Sequence, residues 1–527
     1  MLALFLFLAL RQARNVKSLF QYHLYGNDLK VNRFTGSLLA TNSSLSGAFV
    51  LIIYYGFLYG PWVFPFVWVF WILTERTSAW TIDRTRATIE RYGGWSKNRA
   101  TLHQYIGLVF ASPRARLYAG VLSLISYLGL ISAEIVLAMH LLGYLFPRKL
   151  LVPHTNLEFG PFIVIVGIML AILIYNVLSG FRGTVSTDFA QWIIISVMIA
   201  VLGIFVVAKR GVWWPQYPGL FSSPANGVVA TLLNPDRQGY IPYISFLLSN
   251  IVFWGLWWPG AMDQWQRCAA AQTTEIPLDK KWGTAGAIPI FYFGVLSAVF
   301  VAAGVWLRVN LPNAAPSPEF LRTLVGNVQE WGVNSIGSIG GILLGAMAFW
   351  GLICAAMSTM DGYVMTASQT FFVDIANSKN GATLVDLSAS DTNGNLLTRS
   401  RAYTIFIPFL VIALSILFTL ASDVYALIYF SFAFMFALLP PLFAGLLGWG
   451  RPDARIACER SLLAGGISTI VGAVVIVLGL ERALRLNDSV AIFGWYQAVY
   501  WWSTVVAVIG SLVLWLNWPK KAIQSGS

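Results

Sequence analysis

Charged side chains are scarce in this chain: Asp, Glu, Lys and Arg make up 11% of 527 residues, against 57% hydrophobic and 15% aromatic. A soluble globule carries about a quarter of its residues as charges, so that class is excluded. Cysteine is nearly absent, with three in all. Cys268 and Cys458 fall in segments read below as cytoplasmic and Cys354 lies within an apolar run, which excludes a disulfide framework and leaves reduced thiols. The four histidines, His23, His103, His140 and His154, are scattered without ligand spacing, so no histidine-built metal centre is expected and each reads as an interfacial or loop residue. Long polar stretches are missing too, which leaves no segment for a separate soluble domain and makes 1–527 a single membrane domain.

What fills the chain is apolar sequence, with a mean hydropathy of +0.69. Runs long enough to cross a bilayer are expected near 36–58, 61–75, 117–146, 159–180, 185–208, 241–262, 284–307, 337–376, 402–421, 424–448, 461–480 and 493–516, roughly twelve by the helix-length rule. Met1–Leu10 is too short to span and lacks a small-residue cleavage site, so it reads as part of a leading helix whose start is missing. Alternating the spans from an inward-running leading helix places roughly 25 of the 34 basic residues in inner loops, the bias of an inner (plasma) membrane protein with a cytoplasmic carboxyl terminus. That bias accounts for the net charge of +12 through anionic lipid, and nucleic acid is not an expected partner.

Against this background the polar residues inside spans stand out. Ser358 and Thr359 lie in the run from Ile342 to Asp361; helix hydroxyls often bond back to a carbonyl four residues earlier, but these two have Asp361 within a turn. Glu134 is mid-span between apolar neighbours, where a carboxylate either pairs inside the bundle or meets a transported species. Asp188 stands at the start of a span and reads equally as a first-turn residue suited to the helix dipole or as a cation ligand. Two spans are interrupted, one by Ala40–Gly47 with its serines and Asn42, the other within Ser249–Gly260, where Gly and Pro permit a break. Interrupted helices five spans apart point to an inverted-repeat transporter with its site where the breaks meet. The expected organisation is a first repeat at 36–208, a second at 241–448 and two accessory helices at 461–516.

The stretch Ala355-Ala356-Met357-Ser358-Thr359-Met360-Asp361-Gly362, running on to Ala367-Ser368 and Asp374-Ile375, resembles the signature of the sodium/solute symporter family, which includes the sodium/proline and sodium/glucose carriers. Tyr175–Gly183 leading into Thr187-Asp188-Phe189-Ala190-Gln191, and Trp265–Ala271, match further family segments in the same order. The resemblance implies an all-α polytopic membrane protein with a 5+5 inverted-repeat, leucine-transporter-like core. It implies that Na⁺ is bound by the carbonyls of Asn42, Leu45 and Ala355 and the hydroxyls of Ser358 and Thr359, with Asp188 supporting that ion or holding a second.

For the solute, the resemblance implies Ser44 and Ser46 on the unwound segment, and Asn250, Phe253 and Trp254 as in the sugar carriers, with Phe253 where a stacking Tyr would stand. Glu134 occupies a position where an uncharged amide would be expected. The expected function is Na⁺-coupled uptake of a small polar organic solute, with a sugar-like one slightly favoured. Sodium- or proton-coupled transport of an amino acid or other metabolite is the alternative. A membrane-embedded transferase is a remote one, because the acidic residues form no paired metal motif; the chain is not expected to be an enzyme.

Overall fold

In lipid a spanning segment must satisfy its own backbone hydrogen bonds, and a helix does so within itself. The computed structural model describes residues 1–90, 100–146, 158–213, 250–272, 275–311, 319–378, 382–420, 424–477 and 494–519. Helix dominates them, and the β-pairing among the described residues is an isolated bridge between Leu29 and Ala271. The leading half of the expected sixth span (241–249), His154, and the edges of the last two spans at 478–480 and 493 lie outside the described residues.

In chain order the main helices are α1 (Leu2–Ala13), α2 (Val31–Asn42), α3 (Leu45–Tyr59, opening with a π-helical turn), α4 (Phe64–Glu90), α5 (Pro113–Leu142) and α6 (Phe159–Ala208). They continue as α7 (Met262–Ala270), α8 (Ala287–Asn310), α9 (Glu319–Gln369), α10 (Asn395–Leu420), α11 (Val424–Phe436), α12 (Leu439–Leu446), α13 (Arg455–Val477) and α14 (Gly494–Leu516). Among the described residues seven helical stretches are long and apolar enough to cross a membrane, and α2 with α3 makes an eighth. At 50 residues α6 is about 75 Å long, more than twice a hydrocarbon core, so it holds both spans expected between 159 and 208.

Breaks fall where the residues demand them. Gly180 interrupts α6 at φ 56°, and a Cβ there would lie 2.4 Å from the Tyr22 carbonyl oxygen. Gly337 interrupts α9 at φ 84° and separates a polar arm beginning at Glu319 from the apolar run expected at 337–376. The arm is not among the expected helices; its polar composition hides it from a hydropathy reading. The second span likewise continues past its expected end at 75, because α4 buries Thr74, Glu75, Ser78, Thr81, Ile82, Thr85 and Ile89 at helical spacing although most of them are polar.

Two breaks bring the interior together. α2 and α3 meet at a 59° bend across Ser43 and Ser44, where Ser44 Oγ accepts the backbone N–H groups of Gly47 (2.9 Å) and Ala48 (3.2 Å) and so caps α3. Past helical residues 250–256, a 3₁₀ turn at Trp258–Gly260 redirects the chain into α7, as Pro259 and Gly260 permit. α3 packs on α8 through small residues: a Cβ at Gly56 would lie 2.2 Å from the Val301 carbonyl oxygen, and one at Gly304 2.1 Å from that of Ile53.

Candidate ion and solute site

A helix that stops at residue 42 leaves its last carbonyls without the amides of a following turn. Here α9 supplies hydroxyls to them. Ser358 Oγ donates to the Ala40 carbonyl at 2.9 Å and lies 3.0 Å from that of Ala355, while Thr359 Oγ1 reaches the carbonyls of Thr41 (3.2 Å) and Ala355 (3.1 Å). Five oxygens, none from a carboxylate, thus converge at the break, and all their residues are buried. Hard cations take oxygen ligands of this kind, so the donor set fits an alkali ion. The structure brings Ser358, Thr359 and Ala355 together as the sequence reading groups them. The carbonyls of the broken segment that meet the two hydroxyls belong to Ala40 and Thr41, and not to the expected Asn42 and Leu45, the latter opening α3 beyond the break.

Next to these oxygens lies a cavity of about 20 Å³, room for roughly one water. Its walls carry six aromatic side chains, Trp71, Phe253, Trp254, Trp257, Tyr363 and Phe432, and three polar ones from the broken segment, Thr41, Asn42 and Ser44. Of the residues assigned to solute, Ser44, Phe253 and Trp254 line it. Asn250 does not line it, since its Oδ1 accepts Tyr55 OH at 2.9 Å and Trp254 Nε1 at 3.2 Å. Ser46 and Glu134 also sit off the cavity and hold each other: Glu134 Oε1 accepts Ser46 Oγ at 2.5 Å and the Ser46 amide at 3.1 Å. Glu134 therefore tethers the first turn of α3 to α5.

Neither a protein-family model nor a curated protein matches this sequence. Solved structures do match by fold. The chain is similar to a Na⁺-coupled sialic acid symporter, solved substrate-bound and outward-open and described as revealing a novel Na⁺-site, with a TM-score of 0.61, 15% identity and coverage of 98% of this chain and 96% of that one. It is also similar to MhsT in complex with L-phenylalanine (TM-score 0.52, 12% identity, 90% and 98% covered). A third likeness is to a single-substitution mutant of the Eremococcus coleocola manganese transporter (0.52, 15%, 92% and 95%). The fold is the one these three structures share. It is the all-helical, leucine-transporter-like class, with the two broken helices α2–α3 and 250–270 facing each other across the cavity.

Within this fold Asp188 does not reach the Ser358–Thr359 oxygens directly. Its Oδ2 accepts Ser37 Oγ at 2.5 Å and lies 3.6 Å from Arg267 Nη2. Arg267, fully buried on α7, also bonds Ser37 Oγ (3.1 Å), Asp263 Oδ2 (3.2 Å) and Thr41 Oγ1. Asp361 accepts Tyr175 OH at 2.5 Å and Thr187 Oγ1 at 3.1 Å. Asp188 and Asp361 each keep one buried oxygen, Oδ1, with no bond among the described residues. From Arg267 the network runs through Asp263 to Gln264, whose Nε2 donates to Asn42 Oδ1 at 2.8 Å. One guanidinium thus connects Thr41, whose carbonyl belongs to the oxygen cluster, with Asn42, which lines the cavity.

The sequence reading missed several of these residues. Arg267 falls in an inner loop when only its charge is considered; its i, i+4 spacing from Asp263 was the available signal. Trp71, Trp257, Tyr363 and Phe432 look like ordinary span aromatics in one dimension. Glu75 is fully buried with neither carboxylate oxygen bonded among the described residues. His23 and His103, expected at interfaces or in loops, are buried instead: His23 Nε2 sits 2.7 Å from Ser400 Oγ, and His103 Nδ1 2.9 Å from Asp374, which Arg116 also contacts at 3.1 Å.

Proposed function

We propose that this chain is a secondary active symporter that couples inward movement of Na⁺ to uptake of a small polar organic solute by alternating access. The observation that carries the reading is the cluster of five neutral oxygens at the break of α2, sharing Thr41 with the wall of the aromatic cavity. Neutral ligands hold an ion reversibly, which a coupled carrier needs. The carbonyls of Ala40, Thr41 and Ala355 with the hydroxyls of Ser358 and Thr359 bind the first ion, and Asn42 and Leu45 join if the break opens further. Asp188 with Asp361 supports this ion or holds a second. Ion binding fixes the broken segment and so raises solute affinity, a positive coupling between adjacent sites. The protein lies in the inner (plasma) membrane with its carboxyl terminus in the cytoplasm, as the distribution of Lys and Arg suggests.

Proton coupling is the competing reading, and the buried carboxyl of Glu75, unbonded among the described residues, favours it. Uptake into proteoliposomes, with external sodium replaced by choline at two pH values, separates the two. The symport reading expects uptake to need a sodium gradient at both pH values. Uptake that persists in choline and follows the pH gradient would show the coupling ion to be the proton.

A further inference from the structure

A groove lies away from the ion and solute residues, between α12, α14 and Leu256 of the second broken helix. Its volume is about 820 Å³, within the range of sites that hold an organic molecule. Leu439, Pro440 and Ala444 of α12 are buried along its floor, while Trp449 and Trp515, 63% and 72% exposed, stand at its rim. α14 presents Ala507, Ser511, Leu514 and Trp515 to it, the i, i+4, i+7, i+8 spacing of one helix face. The stretch from Ala507 to Trp518 is about 16 Å long at a helical rise, close to half a hydrocarbon core. That is the depth of one leaflet.

One end of this otherwise apolar groove carries a cation. Arg451 lines it there with Trp449 and Trp518. Its guanidinium is held in place: Nη2 donates to the Pro519 carbonyl at 2.9 Å, Nε lies 2.9 Å from Asp453 Oδ1, and the central carbon stands 5.6 Å from the middle of the Trp518 ring. Nη1 makes no bond among the described residues and the side chain is 33% exposed, so the fork keeps N–H donors to offer. Asp453 is 57% exposed, and solvent weakens its hold on the guanidinium. Two further arginines stand close by on α13: Arg460 Nη1 donates to Asn517 Oδ1, and Arg455 lies 3.8 Å from Glu459. Tryptophan beside arginine is the composition of a headgroup layer, and the Lys and Arg distribution assigns this end to the cytoplasmic face.

We propose that this groove binds an anionic phospholipid of the cytoplasmic leaflet, with its phosphate on the Arg451 guanidinium and one acyl chain laid along α14 towards Ala507. A guanidinium fork matches phosphate oxygens, and a fork already fixed by Pro519 and Trp518 loses little freedom in doing so. The surrounding arginines disfavour the cationic end of a zwitterionic headgroup and favour a net negative one. The apolar floor takes the chain over the depth of one leaflet. A helix from a second copy of the protein would also cover the floor, but it brings no phosphate to Arg451. Leu256 precedes the Trp258–Gly260 turn, so the bound chain touches the second broken helix. The site does not depend on which ion or solute is carried.

Native mass spectrometry and thermal unfolding of the purified full chain, with phosphatidylglycerol and phosphatidylcholine of the same acyl chains added in turn, test the site. Phosphatidylglycerol is expected to be retained about fivefold more strongly and to raise the unfolding temperature further. Arg451→Gln should bring that ratio close to one. Arg455→Gln removes an exposed charge outside the groove and should leave the ratio unchanged. Ser511→Trp fills the groove from the exposed side of α14 and should lower the retention of both lipids, a readout that does not depend on how well Arg451→Gln folds. Equal retention of the two lipids by the unmodified chain, equal losses from Arg451→Gln and Arg455→Gln, or retention unmoved by Ser511→Trp would overturn the inference. So would a lipid-free dimer that Ser511→Trp dissociates, which would give the groove to a second copy of the chain.

Discussion

Arg267 sits between two buried carboxylates, 3.2 Å from Asp263 and 3.6 Å from Asp188, with the hydroxyls of Ser37 and Thr41 completing its fork. A guanidinium can serve these directions at once because its donors are fixed in a plane. Removing it would leave two buried carboxylates without their cation, a loss of about 3–5 kcal/mol when one partner of a buried pair is deleted. Arg267→Met should therefore lower the unfolding temperature in detergent sharply, and Arg267→Lys should restore little of it. Neutralising the partners as well, in Arg267→Met with Asp188→Asn and Asp263→Asn, should recover part of the loss. An unfolding temperature unmoved by Arg267→Met would show that the network does not hold these helices together.

Among the elements, the breaks and close approaches depend on glycine. Gly180 adopts a left-handed φ of 56° and leaves no space for a Cβ against Tyr22, and Gly304 faces the Ile53 carbonyl at a distance no Cβ tolerates. Gly180→Ala is expected to cost about 1–3 kcal/mol from backbone strain alone. Gly304→Ala should push α8 away from α3 and impair both stability and uptake. Gly167 is the control: a Cβ there meets nothing within 4 Å, so Gly167→Ala should be neutral or stabilise by about 0.5–1 kcal/mol. Thermal unfolding of the three variants checks the ordering. The breaks at 43–44 and 258–260 fall inside the stretches 40–47 and 249–260 that the sequence marks as interrupted, because serine, asparagine, proline and glycine break up apolar runs there. The arm of α9 and the second half of α4 were not legible: the arm dilutes its buried apolar residues with Glu319, Arg322, Asn327, Gln329 and Glu330, and α4 buries polar side chains, so neither carries a hydropathy signal.

At the level of the whole molecule, the class and helical architecture could be read from composition and span spacing, because the bilayer permits few solutions. The site was half legible. Ser358 and Thr359 could be found from their neighbours along one helix, but their partners Ala40 and Thr41 are main-chain carbonyls, and a main-chain group leaves no mark in sequence. The aromatic cavity is assembled from residues as distant as Trp71 and Phe432, which only the packing of α4 and α11 with the broken helices brings together. The oxygens proposed to hold the ion and the cavity share Thr41 and are joined through Arg267 to Asn42, so occupancy of one should be felt at the other. The most direct measurement is solute affinity at zero and at saturating sodium, for the unmodified chain and for Ser358→Ala with Thr359→Ala. Two coupled sites should make the solute bind about 5–150-fold more tightly in sodium, and the double substitution should bring that ratio close to one. Equal affinities with and without sodium in the unmodified chain, or a ratio left intact by the double substitution, would contradict the coupling placed at the break of α2.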